Sequence, residues 1–176
     1  MKYAYYPGCS LNSTGVEYNI SSKAIAKHFG VELKEIDDWN CCGASAAHNT
    51  NHLLSLALPA RNLAIAEKQG LDIAVPCAAC YSRLKASKLA VQQSAATKAT
   101  INDIIEMDYQ GSKDVFSMID VVHNGIGLNK IRESVQIPLE GLKVASYYGC
   151  LLVRPKHLAM DDQENPMKMD EIIGAA

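Results

Sequence analysis

No run of apolar residues here is long enough to span a bilayer, and the opening "MKYAYYPGCS" holds none suited to a secretory leader. The expectation is a cytoplasmic chain without a transmembrane segment. Neither charge is in excess: 17 Lys and Arg stand against 19 Asp and Glu, a net of −2. The basic footprint by which proteins hold nucleic acid or anionic membrane is therefore missing. A dinucleotide fingerprint is missing too: "HNGIG" (123–127) is glycine-rich but wrongly spaced, and reads as a loop. The histidines His28, His52, His123 and His157 show no ligand spacing among themselves and receive no role. What is present is cysteine, six in 176 residues. In a cytosolic chain, six cysteines point to metal or redox chemistry before structural disulfides.

A hydrophobic content of 48% and a charged content of 20% suit one globular domain, or one and a fraction. Strand-like runs alternate with helical stretches. "KYAYYP" (2–7), "VELKEI" (31–36), "LDIAVP" (71–76), "SMIDVVHN" (117–124) and "KVASYY" (143–148) read as strands. Between them, 15–30 reads as a helix with Val16, Ile20 and Ala24 on its inner face and Gly30 as its stop. A second helical stretch, about 49–69, contains Pro59, which predicts a kink or a junction of two helices. Further helices are predicted over 78–93 and about 98–109. This alternation implies an α/β fold: a parallel-sheet layered repeat with crossover helices, chemistry carried on loops at strand ends and helix N-termini.

The cysteines run Cys9, then 31 residues, Cys41-Cys42-Gly43, then 33 residues, Cys77-Ala-Ala-Cys80. A zinc site takes four ligands and is overfilled by five thiolates. A thioredoxin-like pair explains Cys77 and Cys80 but leaves the others idle. A cubane iron–sulfur cluster takes four. An iron–sulfur cluster with a bridging thiolate position uses all five. Gly8 and Gly43 would let backbone approach such a cluster and turn N–H groups toward sulfide. Pro76 would stiffen the entry to the Cys77 turn, with a helix N-terminus facing the thiolates beyond it. "KYAYYPGC" (2–9) also aligns without gaps to "KVASYYGC" (143–150), so Cys150 falls where a second copy of the pattern would begin.

The words "YYPGCSL", "DWNCCGA" and "PCAACY" resemble the CCG family of cysteine-rich domains, Cys…Cys-Cys-Gly…Cys-x-x-Cys. "RNLAIAEKQGLD", "YYGCLLVRP" and "ENPMKMDEI" are most similar to the B-type subunit of heterodisulfide reductase, so the resemblance covers nearly the whole chain. It implies a non-cubane [4Fe–4S] cluster with Cys9, Cys41, Cys42, Cys77 and Cys80 as ligands, and Cys150 as the first ligand of a second cluster. Residues 1–142 would be the first cluster-binding domain and 143–176 the start of a truncated second repeat. The chain would then be a fragment or a natural half-molecule, not active alone. The implied reaction is reduction of the mixed disulfide of coenzymes M and B. The implied partners within such a heterodisulfide reductase are its cubane iron–sulfur subunit, the C type, and its flavoprotein subunit, the A type. The other reading the family allows is an electron-relay subunit of a flavin-dependent glycolate, lactate or glycerol-phosphate dehydrogenase complex. A zinc structural module is a third reading.

Other residues carry less. His48, six residues after Cys42, is either a helix-cap or surface histidine or a donor behind the cluster. Trp39 reads as a packing wall limiting water at the site. Alternation sends one of Tyr5 and Tyr6 to the cysteine side without choosing between them. Arg154 and Lys156 read as a solvated basic pair, and "MDDQENPMK" (160–168) as a linker or loop.

Overall fold

Four short strands, β1 (Lys2–Tyr5), β2 (Glu32–Glu35), β3 (Ile73–Val75) and β4 (Val115–Ser117), form one all-parallel sheet in the order β2-β1-β3-β4. The computed structural model describes residues 1–44 and 46–176. Parallel neighbours need crossovers, and helices supply them on both faces. Pleating sends Ala4, Ile73, Val75 and Val115, with Tyr6 just past the strand, to one side. There they pack under α4 (His52–Lys68), α5 (Ala78–Gln93) and α6 (Ala95–Ile105). Tyr5 and Ala74 face the other side, against Ala26 of α2 (Val16–His28).

Strand order fixes the site. The chain leaves β1 toward β2 on one side, and leaves β3 toward β4 on the other, so β1 and β3 flank the switch point. In open parallel sheets the crevice beyond the carboxyl ends of such strands is where ligands sit. Here that crevice receives α1 (Gly8–Leu11), which carries Cys9, and the start of α5, which carries Cys77 and Cys80.

The layered α/β class, β1 to β3 and the helix over 78–93 agree with the sequence reading. Five local readings are corrected. "SMIDVVHN" is not a strand: β4 ends at Ser117, whose side chain caps α7 (Met118–Asp120) in a box with Asp120. The "HNGIG" loop instead lies mostly in a π-helical turn, π1 (Val121–Ile126), which stops at Gly127 with φ +88°. "KVASYY" joins no strand and is largely exposed, with Tyr147 87% accessible. The inner face of α2 is Ser22 and Ala26, while Val16, Ile20 and Ala24 lie outward. Small residues let this helix sit close to the sheet, which a search for large apolar positions misses. Finally, α4 runs unbroken through Pro59, and the break falls at Asn51, between α3 (Ala47–Thr50) and α4. The Asn51 side chain accepts the Leu54 N–H at 3.0 Å.

The C-terminal segment packs back on the sheet. The Tyr81 hydroxyl donates to the Leu158 carbonyl at 3.0 Å, and Met160 enters the core beneath α5. Residues 160–168 form a loop knitted by Asp161 and Asp162, whose carboxylates collect five backbone N–H groups. Arg154 pairs with Glu164 at 2.9 Å on the surface. The segment closes in α10 (Lys168–Ala175), whose Lys168 ammonium meets the buried Asp120 carboxylate at 2.6 Å.

Candidate metal centre

The five cysteines of the pattern come from three loops at the carboxyl edge. Cys9 sits in the turn of α1, Cys41 and Cys42 in irregular backbone after β2, Cys77 at the N-cap of α5 and Cys80 in its first turn. None is in a disulfide; Cys42 and Cys80 are buried, Cys77 is half-buried, and Cys9 and Cys41 reach solvent. The Cys42 and Cys80 sulfurs lie 3.3 Å apart, with Cys77 beside Cys80 and Cys9 beside Cys41. Among the described residues, no three His, Cys, Asp or Glu side chains are disposed as they stand to hold a single ion.

Charge in this row is uneven. The Cys80 hydrogen bond, opposed by burial and helped by the backbone N–H of Ala44, brings the Cys42 thiol down to about 7. Cys77 falls further, to about 6: the Cys80 hydrogen bond outweighs burial, and the N–H groups of Cys80 and Ala79 at the head of α5 add to it. Cys80, set between Cys42 and Cys77 and itself buried, is raised. Cys41 accepts the Gly43 N–H at 3.4 Å, which lowers its pKa, but burial and the facing Cys42 and Cys9 raise it overall. Of the five, Cys42 and Cys77 are the two whose thiolate form their surroundings favour.

The glycines play different parts. Gly8 has φ +72°, and a Cβ there would stand 2.9 Å from the Cys80 sulfur. Gly43 also has φ +72°, but a Cβ would strike Ala47 at 2.7 Å and Leu58 at 2.9 Å. Its role is to turn the chain under α4 while its N–H faces a sulfur.

Tyr6, not Tyr5, is the tyrosine on the cysteine side. Burial raises its hydroxyl pKa, as do Cys42, Cys80 and Cys41 beside it, and the hydroxyl donates to the Asn40 carbonyl at 2.8 Å. Tyr5 points to the opposite face and donates to Asn19 at 2.9 Å. Trp39 packs edge-on against Tyr6 with ring centres 5.5 Å apart. His48 lies exposed in α3. Cys150 opens α9 (Cys150–Val153) directly after Gly149, much as Cys9 follows Gly8, and is exposed.

Asn40 and Asn62 are absent from any reading of the cysteines alone. Asn62 is fully buried in α4; its Oδ1 accepts the Asn40 N–H at 3.0 Å and its Nδ2 donates to the Asn40 carbonyl at 2.9 Å. Arg61 beside it donates to the Asp38 carbonyl at 2.6 Å and pairs with the Asp38 carboxylate. The available signal was a polar "RN" in the middle of an apolar helix.

Fold and site together point to a class: residues 3–85 match the model of the CCG family, a cysteine-rich domain. Over nearly its whole length it is similar to particular redox subunits. It is 36% identical to the 8-methylmenaquinol:fumarate reductase membrane anchor subunit of Wolinella succinogenes, across 99% of this chain and 61% of that protein. It is 26% identical to a protein of Archaeoglobus profundus described as like the B-type subunit of heterodisulfide reductase, across 94% and 57%. It is 27% identical to the B-type subunit of the ferredoxin/F(420)H(2)-dependent CoB-CoM heterodisulfide reductase of Methanosarcina acetivorans, across 99% and 59%. The chain thus spans about three fifths of the length of these relatives. Among the described residues, no helix is long and apolar enough to cross a membrane.

Proposed function

We propose that Cys9, Cys41, Cys42, Cys77 and Cys80 hold a non-cubane [4Fe–4S] cluster, and that the chain is the cluster-bearing part of a heterodisulfide reductase-type iron–sulfur subunit. One observation supports this: the five cysteines lie on three separate loops at the carboxyl edge of one parallel sheet, with the Cys42 and Cys80 sulfurs 3.3 Å apart. The donor set fits the group. Thiolates are the ligands iron–sulfur clusters require, and Cys42 and Cys77 are held near 7 and 6. Backbone N–H groups of Gly43, Ala44 and Ala79 face the sulfurs, the hydrogen bonding by which proteins tune such centres.

When bound, the cluster would supply one-electron transfer to the disulfide. Two electrons and two protons convert one disulfide to two thiols. The chain's part is to hold five thiolates on a rigid sheet edge, keep Cys42 and Cys80 from water and leave Cys9 and Cys41 at the mouth. Electrons would enter from a cubane iron–sulfur partner fed by a flavoprotein; the Methanosarcina acetivorans relative is itself named for its dependence on ferredoxin. Residues 1–142 would form the first cluster unit. Residues 143–176, with Cys150, would open a second, on the strength of the repeated "K-x-A-x-Y-x-G-C".

The test is anaerobic reconstitution with iron and sulfide quantified and an electron paramagnetic resonance (EPR) spectrum recorded. About four irons per chain are expected; a single bound zinc overturns the reading. The 36% identity to a component of a quinol:fumarate reductase supports a second reading, an electron relay that touches no disulfide. Purified complex that reduces a coenzyme disulfide with reduced viologen supports the first. Complex that passes electrons between a flavoprotein and another acceptor, hydroxy-acid oxidation included, while ignoring disulfides supports the second.

A further inference from the structure

Consecutive cysteines normally diverge, because successive side chains of an extended chain point opposite ways. Here Cys41 is exposed while Cys42 is buried with its sulfur 3.3 Å from that of Cys80, in a stretch with no strand or helix to hold it. We infer that Asn62, seconded by Arg61, is the positioning residue that fixes this divergence by clamping Asn40, the residue just before the pair.

A buried amide must find partners for both its ends, and an asparagine within a helix disfavours the helix unless it bonds elsewhere. Asn62 bonds the N–H and the carbonyl of one residue, as a neighbouring strand would, and it is 0% exposed. Every other polar group of Asn40 is also engaged. Its carbonyl takes the Tyr6 hydroxyl at 2.8 Å, and its side-chain amide donates to the Cys41 carbonyl at 2.9 Å and the Leu58 carbonyl at 3.0 Å. Its side-chain oxygen accepts from Arg61 at 3.3 Å. Rotation about the Asn40–Cys41 link therefore breaks several part-buried bonds at once. A slip there would exchange the outward and inward thiols, and Gly43 fixes the far end of the stretch.

The inference deepens the proposed cluster site and rests on it only for its second measurement. The first uses the reduced, metal-free chain: iodoacetamide alkylation of each cysteine, followed by peptide mass spectrometry. Asn62→Ala is expected to speed Cys42 alkylation roughly tenfold relative to Cys80, as loss of buried hydrogen bonds allows local opening. Asn62→Asp, which keeps the acceptor for the Asn40 N–H, is expected to show a smaller rise. Ser87→Ala, which removes a bond of 2.8 Å from α5 to the Leu56 carbonyl, serves as the control and is expected to leave the Cys42 to Cys80 ratio alone. A folded Asn62→Ala with wild-type protection of Cys42, or the same ratio change in Ser87→Ala, overturns the inference. If Asn62→Ala does not fold, Asn62→Asp and Arg61→Gln decide by the same ratio. The second measurement is the EPR spectrum after reconstitution: shifted g values at unchanged iron content support the clamp, and an unshifted spectrum opposes it. A wild-type chain that assembles no cluster sinks the proposed function while the alkylation result still stands.

Discussion

Gly8 shows how much one missing carbon matters. Its φ of +72° places it in the left-handed region, and a Cβ would lie 2.9 Å from the buried Cys80 sulfur. Gly8→Ala is therefore expected to cost about 1–2 kcal/mol in urea unfolding of the metal-free protein, and to lower iron per chain on reconstitution. Iron content equal to wild type would show that the close approach is not needed for loading. Cys42→Ser asks the opposite question. It exchanges one sulfur for an oxygen in the same place, so far-UV circular dichroism should stay unchanged while the iron–sulfur EPR signal is lost or distorted. At this scale the sequence was legible in the placement of Cys9 and Cys77 just after strands, where β1 and β3 end. It was silent where partners are decided by packing: choosing Tyr6 over Tyr5 needs the pleat, and Asn62 needs the path of the loop after β2.

Elements were readable where a capping or stop residue agreed with the hydrophobic pattern. The span of α5 follows from its alternation with β3 and its proline entry, and α4 ends one residue before its cap, Gln69, with Gly70 at φ +72° beyond. The misreadings share a cause. "SMIDVVHN" carries β-branched residues, yet Ser-x-x-Asp is a capping box, and the local bonds of Ser117 and Asp120 outweigh strand propensity. Pro59 lacks only the N–H that would reach Ser55, a single lost bond within a helix buried along most of its length. Two predictions belong here. Asn51→Ala removes the cap on α4 and should cost about 1 kcal/mol by thermal or urea unfolding. Glu67, at the far end of α4, binds the loop before β4. Burial would raise its carboxyl, but the Gln110 N–H, the Ser112 hydroxyl and the Ser112 N–H outweigh burial and hold it low. A lowered folded pKa gives stability that is present above the unfolded value of 4.5 and lost as pH falls through the folded one. Wild type should thus exceed Glu67→Gln in stability at pH 7, and the gap should close in acid; a gap independent of pH would rule the carboxylate out.

Across the whole molecule, the sheet order β2-β1-β3-β4 does what no local pattern announces: it brings together loops about 30 residues apart in sequence. The same scale decides how 143–176 relates to the rest. That segment carries the repeated motif, yet its Met160 and Ala175 enter the two cores on opposite faces of the first sheet. The strongest tie is polar. Lys168 is 18% exposed at its side chain and Asp120 8%, and the same carboxylate also takes the N–H and hydroxyl of Ser117 at the end of β4. Removing the cation leaves a buried charge uncompensated, so Lys168→Met should cost about 3–5 kcal/mol in urea unfolding. Adding Asp120→Asn keeps acceptors for Ser117 while discharging the site, so the double variant should recover part of that loss. Because the pair joins α10 to the β4 end, wild type should unfold in one transition whether followed by Tyr148, in the returning segment, or by Trp39, beside the cysteines. Two separated transitions, or a loss below about 1 kcal/mol for Lys168→Met, would mean that 143–176 only rests on the first unit.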